Sequence, residues 1–175
     1  MIAGEKMNTY RIAVCDDDPV MREQLHSFCR ELLDGESIPY AITAFPSAAE
    51  LEKRMNSDVE KPFNLLILDI QMNGMTGLEL IEQAQADYPD VNFIVMSGYT
   101  DFEYVQKALR FGVWDYLLKP LQKSELNAIL KKLDEHLDTL HFRELRQETM
   151  RSELERSLGV LQERYLEDVW QSGKA

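Results

Sequence analysis

The sequence predicts a doubly wound α/β fold with a five-stranded parallel sheet, because short apolar runs alternate with amphipathic stretches along most of its length. Residues 65–68 and 93–96 are continuously apolar, which is typical of strands in a parallel sheet that helices cover on both faces. Strict alternation with short connections favours right-handed crossovers. The predicted strands are Arg11–Cys15, Tyr40–Phe45, Phe63–Asp69, Val91–Ser97 and Val113–Leu118.

Amphipathic stretches with helical spacing follow the strands. The second opens with Ser47 and Glu50, a capping box in which the hydroxyl and the carboxylate satisfy free N–H groups at a helix start. Asp101 is expected to cap the fourth helix, and Gly112 to end it. The predicted helices run from Pro19 to about Gly35, from Ser47, from Leu78 to about Asp87, from Asp101 to Gly112, and from Ser124 onward.

Composition and charge exclude several classes of protein. No segment approaches the roughly 20 apolar residues that a membrane span requires, so we expect a soluble, cytoplasmic chain without membrane association. The net charge is −12, and without a basic stripe it disfavours nucleic-acid binding by this chain alone. Cys15 and Cys29 lack the spacing of a disulfide framework or metal site; we expect core packing, with a reactive thiol as the alternative. Residues 1–8 are predicted to be a disordered leader.

Polar residues stand at the ends of four predicted strands. The carboxyl ends of parallel strands meet at one edge of the sheet, where such folds bind their ligands. Clustered carboxylates repel one another unless a cation shares the site, and Mg²⁺ binds through one or two carboxylates. A carboxylate can also act as a nucleophile, while an ammonium and a hydroxyl neutralise a transferring phosphoryl group. The residues are Asp16, Asp17 and Asp18 after the first strand, Asp69, Ser97, and Lys119 after the fifth.

Each of these residues alone also has an ordinary structural explanation. The three aspartates of 16–18 could cap the first helix, Ser97 could be a loop residue, and Lys119 could be a solvated charge. Asp69 ends a buried strand, where turn-capping is the only such explanation. Their joint occurrence at four strand ends favours a phosphoryl-acceptor site centred on Asp69.

Four motifs surround these residues: AVCDDDP at 13–19, LILDI at 66–70 with GMTG at 74–77, VMSG at 95–98, and DYLLKP at 115–120. In this order, and over about residues 9–132, they resemble the receiver domain of two-component response regulators. The resemblance implies a flavodoxin-like and CheY-like (βα)5 fold. It also implies that a sensor histidine kinase donates a phosphoryl group to Asp69, with no enzymatic activity beyond self-catalysed phosphorylation and dephosphorylation.

The resemblance further implies a role for each site residue. Mg²⁺ would be held by the side chains of Asp17 and Asp69 and by the backbone carbonyl of Gln71, with Asp16 acting on the ion through water. The phosphoryl oxygens would contact Ser97 and Lys119, and Tyr116 would change rotamer together with Ser97. The bond between Lys119 and Pro120 is expected to be cis.

Two positions depart from the family pattern. Asn73 stands where proline is usual, and Thr76 where aspartate is frequent. Both lie in the loop after Asp69, so these departures concern the rigidity of the loop rather than the chemistry.

The tail, residues 133–175, is predicted to be a helical, coiled-coil-like linker and dimerisation segment. Its apolar positions alternate in steps of four and three, which is a heptad pattern with a polar middle. Homodimerisation is expected through this helix, through the face of the fourth helix, fifth strand and fifth helix, or both. The alternative is two helices that fold back at a break near Thr149. The heptad positions are Leu126, Leu130, Leu133, Leu137, Leu140, Glu144, Gln147, Arg151, Leu154, Leu158, Leu161 and Tyr165.

The receiver motifs and the charged helix after them are similar to regulators that end in AraC-type DNA-binding domains. The resemblance implies control of transcription through a domain absent from this chain, which would then be truncated. A stand-alone adaptor that signals by protein–protein contact is the alternative. A hydrolase of the aspartyl-phosphate type is disfavoured, because Gln71 stands where such enzymes place a second aspartate.

Overall fold

The computed structural model describes residues 9–36, 38–57, 63–98 and 102–172. Within them, strands and helices alternate along the chain. The elements are β1 (Tyr10–Cys15), α1 (Pro19–Gly35), β2 (Tyr40–Phe45), α2 (Ala48–Ser57), β3 (Leu65–Asp69), α3 (Gly77–Asp87), β4 (Asn92–Ser97), α4 (Phe102–Arg110), β5 (Asp115–Leu118) and α5 (Lys123–Ser172).

The sheet has the strand order β2-β1-β3-β4-β5, and every neighbouring pair is parallel. The predicted doubly wound, five-stranded parallel sheet is therefore confirmed. The chain passes from β1 to β2 on one side and then crosses to β3 on the other, so the order reverses between β1 and β3. The loops after these two strands diverge, which opens a crevice at their carboxyl ends.

Three strands begin later than the sequence pattern predicts. Phe63 and Val91 precede β3 and β4 without belonging to them, yet both side chains are buried. The Phe63 ring packs edge-on against Phe45, with ring centroids 5.7 Å apart. The apolar pattern therefore reports burial in the core, whereas pairing in the sheet begins one or two residues further along.

The central strands form the middle of the core. Every residue of β3 is buried, as the continuous apolar run predicts. Cys15 and Cys29 are buried free cysteines, and burial raises the pKa of each thiol to about 12. Because the thiolate is the reactive form, these values favour packing over the reactive-thiol alternative.

The helix starts follow from local hydrogen bonds. The Asp18 carboxylate accepts a hydrogen bond from the Val20 N–H at 2.8 Å, so Asp18 does cap α1. At α2, the Ser47 hydroxyl accepts from the Glu50 N–H at 3.3 Å. After the C-terminal end of α4, Gly112 has φ +61°, a conformation that favours glycine. The predicted cap Asp101 and the predicted leader, residues 1–8, lie outside the described residues.

The last helix is continuous from Lys123 to Ser172, so the alternative of a break near Thr149 is wrong. The chain divides into two compact units, Met1–Leu133 and Asp134–Ala175. In the first unit, the early heptad leucines of α5 are core residues. In the second unit, several large apolar side chains are exposed: Phe142, Leu145, Met150, Leu154 and Leu158.

The described helices can also be compared with the dimensions of a lipid bilayer. None of them combines the length with the apolar character that crossing a membrane would require.

Candidate functional site

The register of the sheet brings the predicted site residues to one edge. Cys15 pairs with Leu68, so the residues that follow them, Asp16 and Asp69, are neighbours. On the other side of β3, Asp69 pairs with Met96, and Ser97 at the end of β4 pairs with Leu118. The alignment of four strand ends thus places carboxylates at the switch point and a hydroxyl and an ammonium beside them.

Three carboxylates form a cluster at this edge. Asp16, Asp17 and Asp69 each offer an oxygen that lies within 4.8 Å of the others. Asp16 is 0% exposed and Asp69 is 5% exposed, whereas Asp17 is half-buried. Burial of like charges at this spacing is unfavourable without a compensating cation.

Lys119 supplies part of that compensation. Its Nζ lies 2.7 Å from Asp16 Oδ2 and 2.9 Å from Asp69 Oδ2, so one ammonium bridges two of the three carboxylates. The Lys119 backbone N–H donates to the Ser97 carbonyl at 2.8 Å, and its bond to Pro120 is cis, as the resemblance implies. The strand pairing and the turn after β5 therefore aim this side chain at the cluster.

Titration of the pair reflects these contacts. Burial raises the pKa of Asp69, with a further contribution from the charge of Asp16; the hydrogen bond and charge of Lys119 oppose this rise without cancelling it. Burial lowers the pKa of Lys119, but its hydrogen bonds to the two carboxylates outweigh burial and raise it. The ammonium is therefore held charged beside an aspartate whose ionised form is destabilised.

The other predicted residues surround this centre. Ser97 is fully buried at the end of β4, and Tyr116 is half-buried in β5, where it pairs with Val95 on the strand that Ser97 ends. Gln71 is exposed in the loop after β3, and its N–H donates to Asp69 Oδ1 at 3.4 Å.

The sequence analysis missed several contacts around the site. Asn73 donates two hydrogen bonds to the Asp17 carboxylate, and the Arg22 guanidinium donates to the Asp16 carbonyl at 2.6 Å. Thr76 and Glu79 form a complete capping box at the start of α3. The spacing of Thr76 and Glu79 is a recognised signature and could have been found, but no local pattern signals the contacts of Asn73 or Arg22.

The side chains of the cluster fit a hard divalent cation. Oxygen ligands from carboxylates are the donors that Mg²⁺ prefers. Both oxygens of Asp16 already accept hydrogen bonds, from the Asp18 N–H at 2.9 Å and from Lys119. Both oxygens of Asp69 accept hydrogen bonds as well, from the Gln71 N–H at 3.4 Å and from Lys119 at 2.9 Å, so a cation bound here would share these oxygens with donors already present.

Comparisons with known proteins identify the class to which this fold and site belong. The sequence model of the response regulator receiver domain matches residues 12–131. The chain therefore belongs to the response regulator receiver domain family. Receiver domains act as phosphoacceptor switches rather than classical enzymes, partner with histidine kinases, and typically bind Mg²⁺ at an acidic pocket.

The relatives with similar sequences include a transcriptional regulatory protein and a response regulator. The chain is 28% identical over 160 residues to the uncharacterized transcriptional regulatory protein YesN of Bacillus subtilis, covering 91% of this chain and 42% of that protein. It is 33% identical over 125 residues to the probable C4-dicarboxylate response regulator DctR of Halalkalibacterium halodurans, covering 71% and 51%. The chain thus spans about half the length of these curated relatives.

A solved structure supports the same assignment. The REC domain of AraT, a response regulator from Geobacillus stearothermophilus, superposes with a TM-score of 0.63 at 27% identity, covering 75% of this chain and 98% of that one. The predicted receiver fold is confirmed.

Proposed function

We propose that this receiver domain accepts a phosphoryl group on Asp69 from a sensor histidine kinase, in a reaction that requires Mg²⁺. The observation that carries the proposal is the Lys119 ammonium, which lies 2.9 Å from Asp69 Oδ2 within a cluster of three carboxylates. Asp17, Asp69 and the backbone carbonyl of Gln71 would hold the ion, and Asp16 would act on it through water.

The chemistry is nucleophilic attack by a carboxylate. An oxygen of Asp69 bonds to phosphorus while the P–N bond of a phosphohistidine breaks, and the imidazole nitrogen keeps the electron pair and takes up a proton. Lys119 and Ser97 then contact the transferred oxygens. When bound, Mg²⁺ supplies positive charge that offsets the negative charge of the transferring group.

The acceptor role is tested with a small phosphodonor. Wild-type protein incubated with acetyl phosphate and Mg²⁺ should show a phosphorylated band on a phosphate-affinity gel, and the band should vanish with excess EDTA. Asp69→Asn should not be labelled, whereas Asp87→Asn, an exposed aspartate at the end of α3, should be labelled normally. Equal labelling of Asp69→Asn would refute the proposal.

The conformational output is proposed to run through Ser97 and Tyr116. Ser97 would move to bond a phosphoryl oxygen, and the Tyr116 ring would turn into the vacated space, remodelling the face of α4, β5 and α5. The support is that Ser97 ends β4 and that Tyr116 lies in β5, the paired strand that leads into Lys119. Ser97→Ala should retain labelling by acetyl phosphate but lose phosphorylation-dependent association; unchanged association would rule out this coupling.

The second unit is proposed to dimerise as a coiled coil. Leu154 and Leu158 occupy heptad positions of α5 and are 61% and 51% exposed in the single chain, so a second copy of the helix would bury them. Sedimentation of the full chain with beryllofluoride should show a dimer, whereas a chain ending at Leu140 should dimerise more weakly or remain a monomer. Undiminished dimerisation of the shorter chain would rule out the helix and favour the face of α4, β5 and α5.

The regulated process is proposed to be transcription, through an AraC-type DNA-binding domain outside this sequence. The support is that this chain covers 42% of YesN, whose name describes a transcriptional regulatory protein. A fusion of this chain to such a domain should bind DNA more tightly when treated with beryllofluoride. If beryllofluoride instead promoted association of this chain with a protein partner and left DNA binding unaltered, the stand-alone adaptor would be preferred.

A further inference from the structure

The loop after β3 carries a contact that links it to the carboxylate cluster. The backbone N–H of Asn73 donates to Asp17 Oδ2 at 3.1 Å, and its side-chain Nδ2 donates to the same oxygen at 2.9 Å. Two donors from one residue therefore converge on one carboxylate oxygen. Proline, the usual residue at this position in the family, could provide neither donor, since it lacks both an N–H and a side-chain amide.

The contact occupies one oxygen of a proposed ligand. A carboxylate oxygen has two lone-pair directions, and in Asp17 both lone pairs of Oδ2 are directed to donors. Hydrogen bonds to an ionised acceptor are stronger than those between neutral groups. A cation that coordinates Asp17 through Oδ2 must share or displace these hydrogen bonds, and one that coordinates through Oδ1 binds a carboxylate whose negative charge they already stabilise. Asn73 itself is exposed.

We propose that Asn73 is a positioning residue that lowers the affinity of the site for Mg²⁺ by competing for the Asp17 carboxylate. The inference rests on the proposed function, because it assumes that Asp17 is a ligand. The same two hydrogen bonds tie the loop after β3 to the loop after β1. Asn73 thereby replaces the rigidity that proline would supply, and it couples that rigidity to the occupancy of the metal site.

Isothermal titration with Mg²⁺ and no phosphodonor tests this inference. Asn73→Ala removes the side-chain donor and keeps the backbone N–H, so its Kd should fall by about 3- to 10-fold relative to the wild type, as expected for loss of one charge-assisted hydrogen bond. Asn56→Ala, at an exposed asparagine of α2, serves as the matched control and should leave the Kd unchanged.

A second readout separates competition from a general structural effect. The side-chain amide resonances of Asn73, assigned by their absence in Asn73→Ala, should shift saturably with Mg²⁺ at the Kd found by calorimetry. An unchanged or higher Kd in Asn73→Ala, or resonances that do not respond, would overturn the competition while leaving the acceptor site intact. Failure of the wild type to bind Mg²⁺ would overturn both this inference and the proposed metal site.

Discussion

Replacing Lys119 by alanine should destabilise the metal-free protein strongly. At an effective dielectric constant of about 20, contacts of the observed length correspond to about 6 kcal/mol of attraction each, which desolvation of the ions and repulsion between Asp16 and Asp69 largely offset. Removing one partner of a buried ion pair leaves an uncompensated charge and costs about 3–5 kcal/mol. Lys119 is 19% exposed, so water can partly replace it, and we expect about 3 kcal/mol.

The assay is thermal and urea unfolding in EDTA, followed by the same measurement in Mg²⁺. A loss of this size should lower Tm by roughly 10 °C in a domain of this size. Because a divalent cation neutralises the same carboxylates, Mg²⁺ should raise the Tm of Lys119→Ala by more than it raises that of the wild type.

Lys131→Ala is the matched control. Lys131 also forms an ion pair, with Glu36 at 3.1 Å, but both side chains are about half exposed. Such surface pairs contribute about 0–1 kcal/mol, so this variant should resemble the wild type with or without Mg²⁺. Equal stabilities of the Lys119 and Lys131 variants in EDTA would refute the assignment of Lys119 as the counter-charge of the cluster.

Three further outcomes follow from the same edge of the sheet. Because the pKa of Asp69 is raised, the folded state binds the proton of this carboxyl group more tightly than the unfolded state does, and the stability falls as the pH rises from the ordinary carboxyl pKa through the raised pKa. Asp69→Asn should remove this loss, so the variant should be more stable than the wild type at neutral pH in EDTA. Equal urea midpoints of the two proteins would contradict this expectation. At Gly77, an added Cβ would overlap the Asp69 carbonyl oxygen, so Gly77→Ala should lower the free energy of unfolding in urea by about 1–3 kcal/mol. At Gly35, an added Cβ meets no atom within 4 Å, so Gly35→Ala is the control and should not show that loss. Thr76→Ala should cost about 1 kcal/mol through loss of the capping box, measured as a lower urea midpoint, and an unchanged midpoint would contradict it.

The fold and the composition of the site could be predicted because both depend on short-range patterns. Continuous apolar runs identify buried strands, and polar residues at the ends of parallel strands must converge at one edge. The Lys119 contacts with Asp16 and Asp69 follow from that convergence. The roles of these residues in phosphoryl transfer stay predictions, since the geometry alone supports them without testing them.

The contact of Asn73 with Asp17 could not be predicted because it joins two loops far apart in sequence through an exposed side chain. Asn73 and Asp17 are 56 residues apart, and nothing in the residues around either one specifies the other. The predicted starts of β3 and β4 are also wrong, because an apolar residue such as Phe63 can be buried without pairing in a strand. The burial of a residue can be predicted from the pattern of apolar residues, whereas its hydrogen-bond partners depend on the final positions of the loops.

The two departures from the family pattern have a common physical consequence. Asn73 binds the carboxylate of Asp17, and Thr76 caps α3 together with Glu79, so both polar replacements use their hydrogen-bonding groups to fix the loop that follows Asp69. Their contacts differ in one respect. The capping box is local to α3 and independent of the cluster, whereas the Asn73 contact ends on a proposed metal ligand. Binding of a cation should therefore loosen the loop at Asn73 while leaving the start of α3 unchanged. Of the two polar contacts that fix this loop, only the one made by Asn73 should then respond to the metal.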